Sequence, residues 1–114
     1  MSINVFGLTY DAVDAKAAAT FWAAALGRTV ADGADHNHAV VEAGDDPATG
    51  PRIGFHRVPE GKTAKNRLHL DLISGDFPAE LARLEALGAK QIASFDAWTT
   101  LADPEGNEFD LIRG

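Results

Sequence analysis

Apolar and polar residues alternate over INVFGLTYD at the start of the chain, and the apolar ones are mostly β-formers. A period of two predicts a strand. The period then changes. In DAKAAATFWAAALG, Phe21, Trp22, Ala25 and Leu26 fall close enough in phase to form one helical stripe. Asp14 stands where an N-cap is needed, and Gly27 where a left-handed residue can close the helix. The same succession returns later. NRLHLDLIS reads as a strand, and DFPAELARLEALG as a helix with Asp76 at its start and Gly88 at its end. Its Phe77, Leu81, Leu84 and Leu87 share one face. Asp14 and Asp76 lie 62 positions apart, Gly27 and Gly88 61 apart, so the chain contains an internal duplication.

Each helix is followed by three short strand-like pieces. They are RTVAD, HAVVEA and RIGFHRV in the first half, and KQIAS, AWTTLA and NEFDLIR in the second. AGDDPATGP, VPEGKTAK and DPEG between them carry turn chemistry. The fold class expected is therefore α+β, built from two tandem βαβββ units. Unit 1 spans about residues 1–58 and unit 2 about 66–114, within a single domain of 1–114, with VPEGKTAK as the junction.

Composition narrows the function classes. A chain of 114 residues is one domain in size and buries roughly 65% of its unfolded surface. It has no cysteine, which excludes disulfides and thiol chemistry and agrees with a cytoplasmic location. No apolar run approaches the roughly 20 residues of a membrane helix, and the N-terminus lacks the pattern of a secretion signal. The formal charge of −7 disfavours nucleic acid. Half of the ten basic residues, namely Arg52, Arg57, Lys62, Lys65 and Arg67, crowd one stretch. That stretch reads either as a solvated loop and edge strand or as an attractor for a small anion. Phosphate-binding loops, nucleophile elbows and HExxH helices are all missing from the sequence.

The two βαβββ units, the FWAAALG helix end, KNRLHLDL opening the second unit and LADPEGNEFDL closing it together resemble the vicinal oxygen chelate superfamily. Within it, the chain is similar to the glyoxalase-like, bleomycin-resistance-type small proteins. The resemblance implies a curled mixed sheet around a cavity, helices on the outside, and a homodimer.

Strand parity then assigns residues to the cavity face. In the strand near 67–73, Leu68, Leu70 and Leu72 need burial, which leaves Arg67, His69, Asp71 and Ile73 on the other side. In the last strand Phe109 and Leu111 are the buried set, so Glu108, Asp110 and Ile112 face the cavity. The DPEGN turn sets that register and so aims Asp110 inward. By the repeat, Gly7 corresponds to His69. Val5, Gly7, Thr9 and Asp11 should line the cavity, with Phe6, Leu8 and Tyr10 beneath.

In metal-dependent members of the superfamily, the ligands come from the first and last strands of each unit. The resemblance thus implies His69 and Asp110 in unit 2. In unit 1 the position at Gly7 has no donor, and His56 is the only good ligand in RIGFHRV. Zinc, iron, manganese or nickel could accept His56, His69 and Asp110 with open positions for substrate. His69, Asp110 and Asp71 are the candidate catalytic groups; Gly7, Thr9, Arg67, Trp98 and Glu108 are candidate pocket residues. The same groups can also satisfy one another without an ion, His69 with Asp71 or Asp110, and Asp110 with Arg67. Trp22 reads as core, and His36 and His38 as an exposed turn. Two functions remain open. One is a glyoxalase-like lyase, isomerase or dioxygenase on a small oxygen-rich molecule. The other is a binding protein that sequesters an aromatic or cationic compound against Trp98.

Overall fold

The computed structural model describes residues 2–114. Contacts group the chain into two compact units, one ending at Gly61 and the other running from Lys62 to Gly114.

In the first unit, β1 (Gly7–Ala12) leads into α1 (Ala15–Leu26), followed by β2 (His38–Val41) and β3 (Arg52–Arg57). The Asp14 carboxylate caps α1 by accepting from the Ala17 N–H at 3.2 Å, and Gly27 ends the helix at φ 65°. The strands form one sheet in the order β1-β3-β2, with β1 parallel to β3 and β2 antiparallel to it. α1 packs on this sheet. Trp22 is fully buried, as expected of a core residue. It stacks with Tyr10 at 6.2 Å and meets Phe21 edge-on at 5.3 Å.

RTVAD does not form a full strand. Only Val30 bridges to Val41, because the chain turns away at once through Gly33, at φ 87°, into a loop held by the Asp35 carboxylate. Asp35 accepts from the backbone N–H groups of Asn37 and His38, and these bonds, with the nearby His36 and His38 rings, hold its pKa below the usual aspartate value.

The second unit contains β4 (Asp71–Ser74), α2 (Phe77–Leu87), β5 (Lys90–Ser94), β6 (Trp98–Ala102) and β7 (Glu108–Arg113). Its sheet runs β4-β7-β6-β5, with β4 parallel to β7 and the other pairs antiparallel. Phe77 and Leu84 of α2 are buried with Thr99, Leu101, Phe109 and Leu111, so these share the core side of the sheet. Leu81 is only half-buried and Leu87 is exposed, so the stripe on α2 is narrower than its leucine spacing suggests.

The two units repeat, except that the counterpart of β5 in unit 1 is reduced to the Val30–Val41 bridge. β1 and β4 end at equivalent positions, Ala12 and Ser74, and β3 and β7 have equal lengths, each parallel to the opening strand of its own unit.

Both opening strands start later than alternation predicts, and this corrects two burial expectations. Phe6 is 77% exposed and Leu68 is 71% exposed. In unit 1, β3 begins at Arg52, which pairs with Gly7, so residues before Gly7 have no strand to join; the Arg52 guanidinium lies over the Phe6 ring instead. In unit 2, the Glu108 N–H donates to the side-chain oxygen of Asn66 at 3.0 Å, where a strand backbone would otherwise accept. The ladder resumes only at the Asp110 N–H, which donates to the Leu70 carbonyl.

Candidate functional site

The site begins with the turn between β6 and β7. Asp103, only 5% exposed, accepts from the backbone N–H groups of Glu105 at 2.9 Å and Asn107 at 2.8 Å through one oxygen. Gly106 takes φ 90°, a left-handed conformation that a side chain would strain, and its N–H donates to the Asp103 carbonyl. This closed turn pairs Ala102 with Glu108, and the pairing carries along the hairpin to Thr100 with Asp110 and Trp98 with Ile112.

On its other side β7 pairs Asp110 with Asp71. Register partners point to the same face, so Thr100, Asp110 and Asp71 form one row across three strands, on the face opposite Phe109 and Leu111. His69 stands just before β4, and its Nδ1 lies 3.0 Å from Oδ1 of Asp71. Each of His69, Asp71 and Asp110 offers a ligand atom within 4.8 Å of the others. Thr100 donates to Oδ1 of Asp110 at 2.6 Å.

This arrangement is electrostatically uneven. Asp71 and Asp110 are like charges set directly opposite each other, which disfavours the pairing unless something positive offsets them. A protonated His69 offsets one charge; a divalent cation offsets both. One imidazole with two carboxylates is a borderline-to-hard donor set suited to manganese, iron or zinc. The residues therefore fit such an ion.

Next along β7, Glu108 pairs with Lys65. The Lys65 ammonium holds the Glu108 pKa below its usual value, with smaller contributions from the charges of Lys62 and His69 and against the cost of burial. Lys65, Asn66 and Arg67 with Ala64 line a surface cavity of about 480 Å³, where Arg67 is exposed. Asp110 bonds Thr100, and not Arg67 as one expectation had it.

The first unit places its expected residues differently. Thr9 of β1 pairs with Gly54 of β3, as Asp71 pairs with Asp110. The counterpart of Asp110 is therefore Gly54, and His56 stands two residues further along, paired with Asp11 and His38. This corrects the expectation that His56 holds the closing position of unit 1. Thr9 is exposed and Gly7 half-buried. Val5 precedes the strand and is 74% exposed.

Sequence reasoning missed the bond of Thr100 to Asp110. It also missed Asn66 and Lys65 as partners of Glu108. Thr100 was within reach, since the turn that places Asp110 also fixes what lies opposite. The Asn66 and Lys65 contacts span more than forty residues, and no local pattern announces them.

A family model described as "glyoxalase-like domain" matches residues 7–112. No curated protein matches the chain. Several solved structures share the fold. The fosfomycin resistance protein FosX from Mesorhizobium loti is 14% identical with a TM-score of 0.74, covering 100% of this chain and 94% of its own. A mutant FosX from Listeria monocytogenes, complexed with Mn(II) and 1S,2S-dihydroxypropylphosphonic acid, is 13% identical with a TM-score of 0.75, covering 100% and 92%. The bleomycin-binding protein of Streptomyces verticillus, complexed with copper(II)-bleomycin, is 20% identical with a TM-score of 0.62, covering 100% and 98%. Among the described residues, no helix is long and apolar enough to cross a membrane.

Proposed function

The chain belongs to the glyoxalase-like domain family, and from that premise we propose that it is a small-molecule enzyme whose working group is His69, Asp71 and Asp110, holding a divalent cation. The observation that carries this reading is the closeness of the three ligand atoms, all within 4.8 Å of one another, on a row where two carboxylates directly oppose. A cation bound there would act as a Lewis acid on a substrate oxygen. A FosX relative with Mn(II) and a bleomycin-binding relative with copper(II)-bleomycin support both metal and small-molecule binding in this fold. The reaction class is that of a lyase, isomerase or dioxygenase on an oxygen-rich substrate.

The chain's own residues have distinct tasks. Thr100 fixes the rotamer of Asp110 by donating to one of its oxygens. Asp71 orients the His69 ring through Nδ1, which leaves Nε2 as the nitrogen with a free lone pair when Nδ1 carries the proton. The His69–Asp71 pair can also hold a proton beside a substrate carbonyl.

The test is metal content and affinity in untagged protein. One Mn(II), Fe(II), Zn(II) or Ni(II) per chain, lost in His69→Ala and in Asp110→Ala, supports the reading; failure of all four ions to bind sinks it. A second reading, sequestration without turnover, is favoured by the stacked Phe95–Trp98 pair, with ring centroids 4.5 Å apart. It predicts metal-free protein whose tryptophan fluorescence responds to an aromatic or cationic compound. A homodimer is part of the proposal as well: Ile3, Val5 and Phe6 are all exposed before β1, an apolar arm that a second copy would cover. Sedimentation equilibrium at the monomer mass would remove it.

A further inference from the structure

Resting on the reading just given, we propose that the ligand carries a planar apolar group, seated on Trp98, Ile112 and Ile73, next to the oxygen atoms that meet His69, Asp71 and Asp110. Trp98 pairs with Ile112 across β6 and β7, and Ile112 pairs with Ile73 across β7 and β4. These three side chains therefore form a second row on the same face as Thr100, Asp110 and Asp71, two residues away on each strand. Two residues of strand span about 6.8 Å, close to the reach from a carboxylate to the middle of a ring two bonds away.

The apolar row is open. Ile73 is 71% exposed although it lies within β4, and Phe95, which stacks on Trp98 with the rings 24° apart, is 50% exposed. The Phe95 N–H donates to the Trp98 carbonyl, so the hairpin end that carries both rings is closed by a backbone bond. Strand positions that leave a branched aliphatic side chain and an aromatic pair in water gain from a partner that covers them.

Two features select a small molecule as that partner. The apolar area comprises one row of three side chains plus Phe95, far below the roughly 20–30 residues a side of a stable protein interface. Its neighbour is a charged row, so an occupant must be apolar at one end and rich in oxygen at the other. An aryl-substituted hydroxy acid has that division; an aliphatic acid of the same head group lacks the apolar end.

The probes are phenyllactate and lactate, titrated into Mn(II)-loaded protein and followed by calorimetry and tryptophan fluorescence. Phenyllactate is expected to bind tighter by about tenfold or more, the effect of covering one ring. In Ile73→Asn and in Phe95→Ser, both at exposed positions, the advantage should shrink toward unity while Mn(II) affinity stays within a few-fold. Equal binding of the two acids, or an advantage that both variants retain, overturns the proposal. If Mn(II) does not bind, the metal reading has failed by itself. The pair is then compared on metal-free protein, where a ring preference sensitive to Ile73 still supports the apolar seat and its absence removes it.

Discussion

Replacing Asp103 with alanine tests whether the β6–β7 turn holds the site in register. The wild-type carboxylate serves the Glu105 and Asn107 N–H groups at 2.9 and 2.8 Å, in a position that is almost fully buried. A hydrogen bond to a charged acceptor contributes about 1.5–3 kcal/mol net. Pro104 and Gly106 are exposed, so water can reach the released donors in part, and the lower end of that range applies to each. Two bonds then give a loss of about 3 kcal/mol, a large share of the roughly 5–15 kcal/mol that holds a domain folded. At about 4 °C per kcal/mol, the melting temperature should fall by roughly 12 °C. Asp103→Asn keeps an accepting oxygen without the charge, and should cost only about 1 kcal/mol. Urea unfolding followed by circular dichroism measures both. An alanine variant within about 1 kcal/mol of wild type, or an asparagine variant as unstable as the alanine one, would refute the assignment of the turn to this carboxylate.

Three further outcomes are expected. Thr100→Val removes the donor on Asp110 and should weaken Mn(II) binding about 10- to 100-fold by calorimetry, while the unfolding midpoint moves little. Lys65→Ala should raise the Glu108 titration midpoint, read by carbon-detected NMR, toward the usual glutamate value. Because the folded Glu108 pKa is depressed, its contribution to stability is present above the unfolded pKa and lost as pH falls through the folded one; the variant should lose this part of the acid-side dependence, and an unchanged midpoint would contradict the pairing. Gly7→Ala places a Cβ 2.8 Å from Arg52 Cγ and 3.0 Å from the Arg52 carbonyl oxygen, which pairing between β1 and β3 holds in place. It should cost about 1–3 kcal/mol, against almost nothing for Gly61→Ala, where a Cβ meets no atom within 4 Å.

The legible parts of this protein were those fixed by short-range chemistry. Asp14 and Gly27 bound a helix because cap geometry is local, and Asp103 through Asn107 closed a hairpin for the same reason. A closed hairpin transmits parity, so Phe109 and Leu111 were readable as core and Asp110 as their opposite. Parity failed where a strand needed a partner that sequence cannot display. Alternation runs back through Leu68 and Phe6, yet the strands start only at Asp71 and Gly7, where β7 and β3 supply the pairing. His56 was misplaced for a related reason. RIGFHRV offers one imidazole, and only the pairing of Thr9 with Gly54 shows that it lies two residues past the position in question.

The two copies differ in a way that explains why the proposed donor set lies in one of them. In unit 2 the row reads His69, Asp71, Asp110 and Thr100; its counterpart in unit 1 reads Gly7, Thr9, Gly54 and Val40. The glycines are not empty seats awaiting a side chain. A Cβ at Gly54 would stand 3.1 Å from the Thr9 hydroxyl, and one at Gly7 would run into Arg52, so neighbouring groups have closed over both positions. A ligand such as histidine at position 7 would have to displace Arg52 before it could reach an ion, and its cost in packing would offset what the added donor contributes. The duplication thus preserves the strand frame in both units, while close packing in the first leaves the second to carry the donors. Asp71, which lies next to His69 and opposite Asp110, is the group that makes a three-donor set within that single unit.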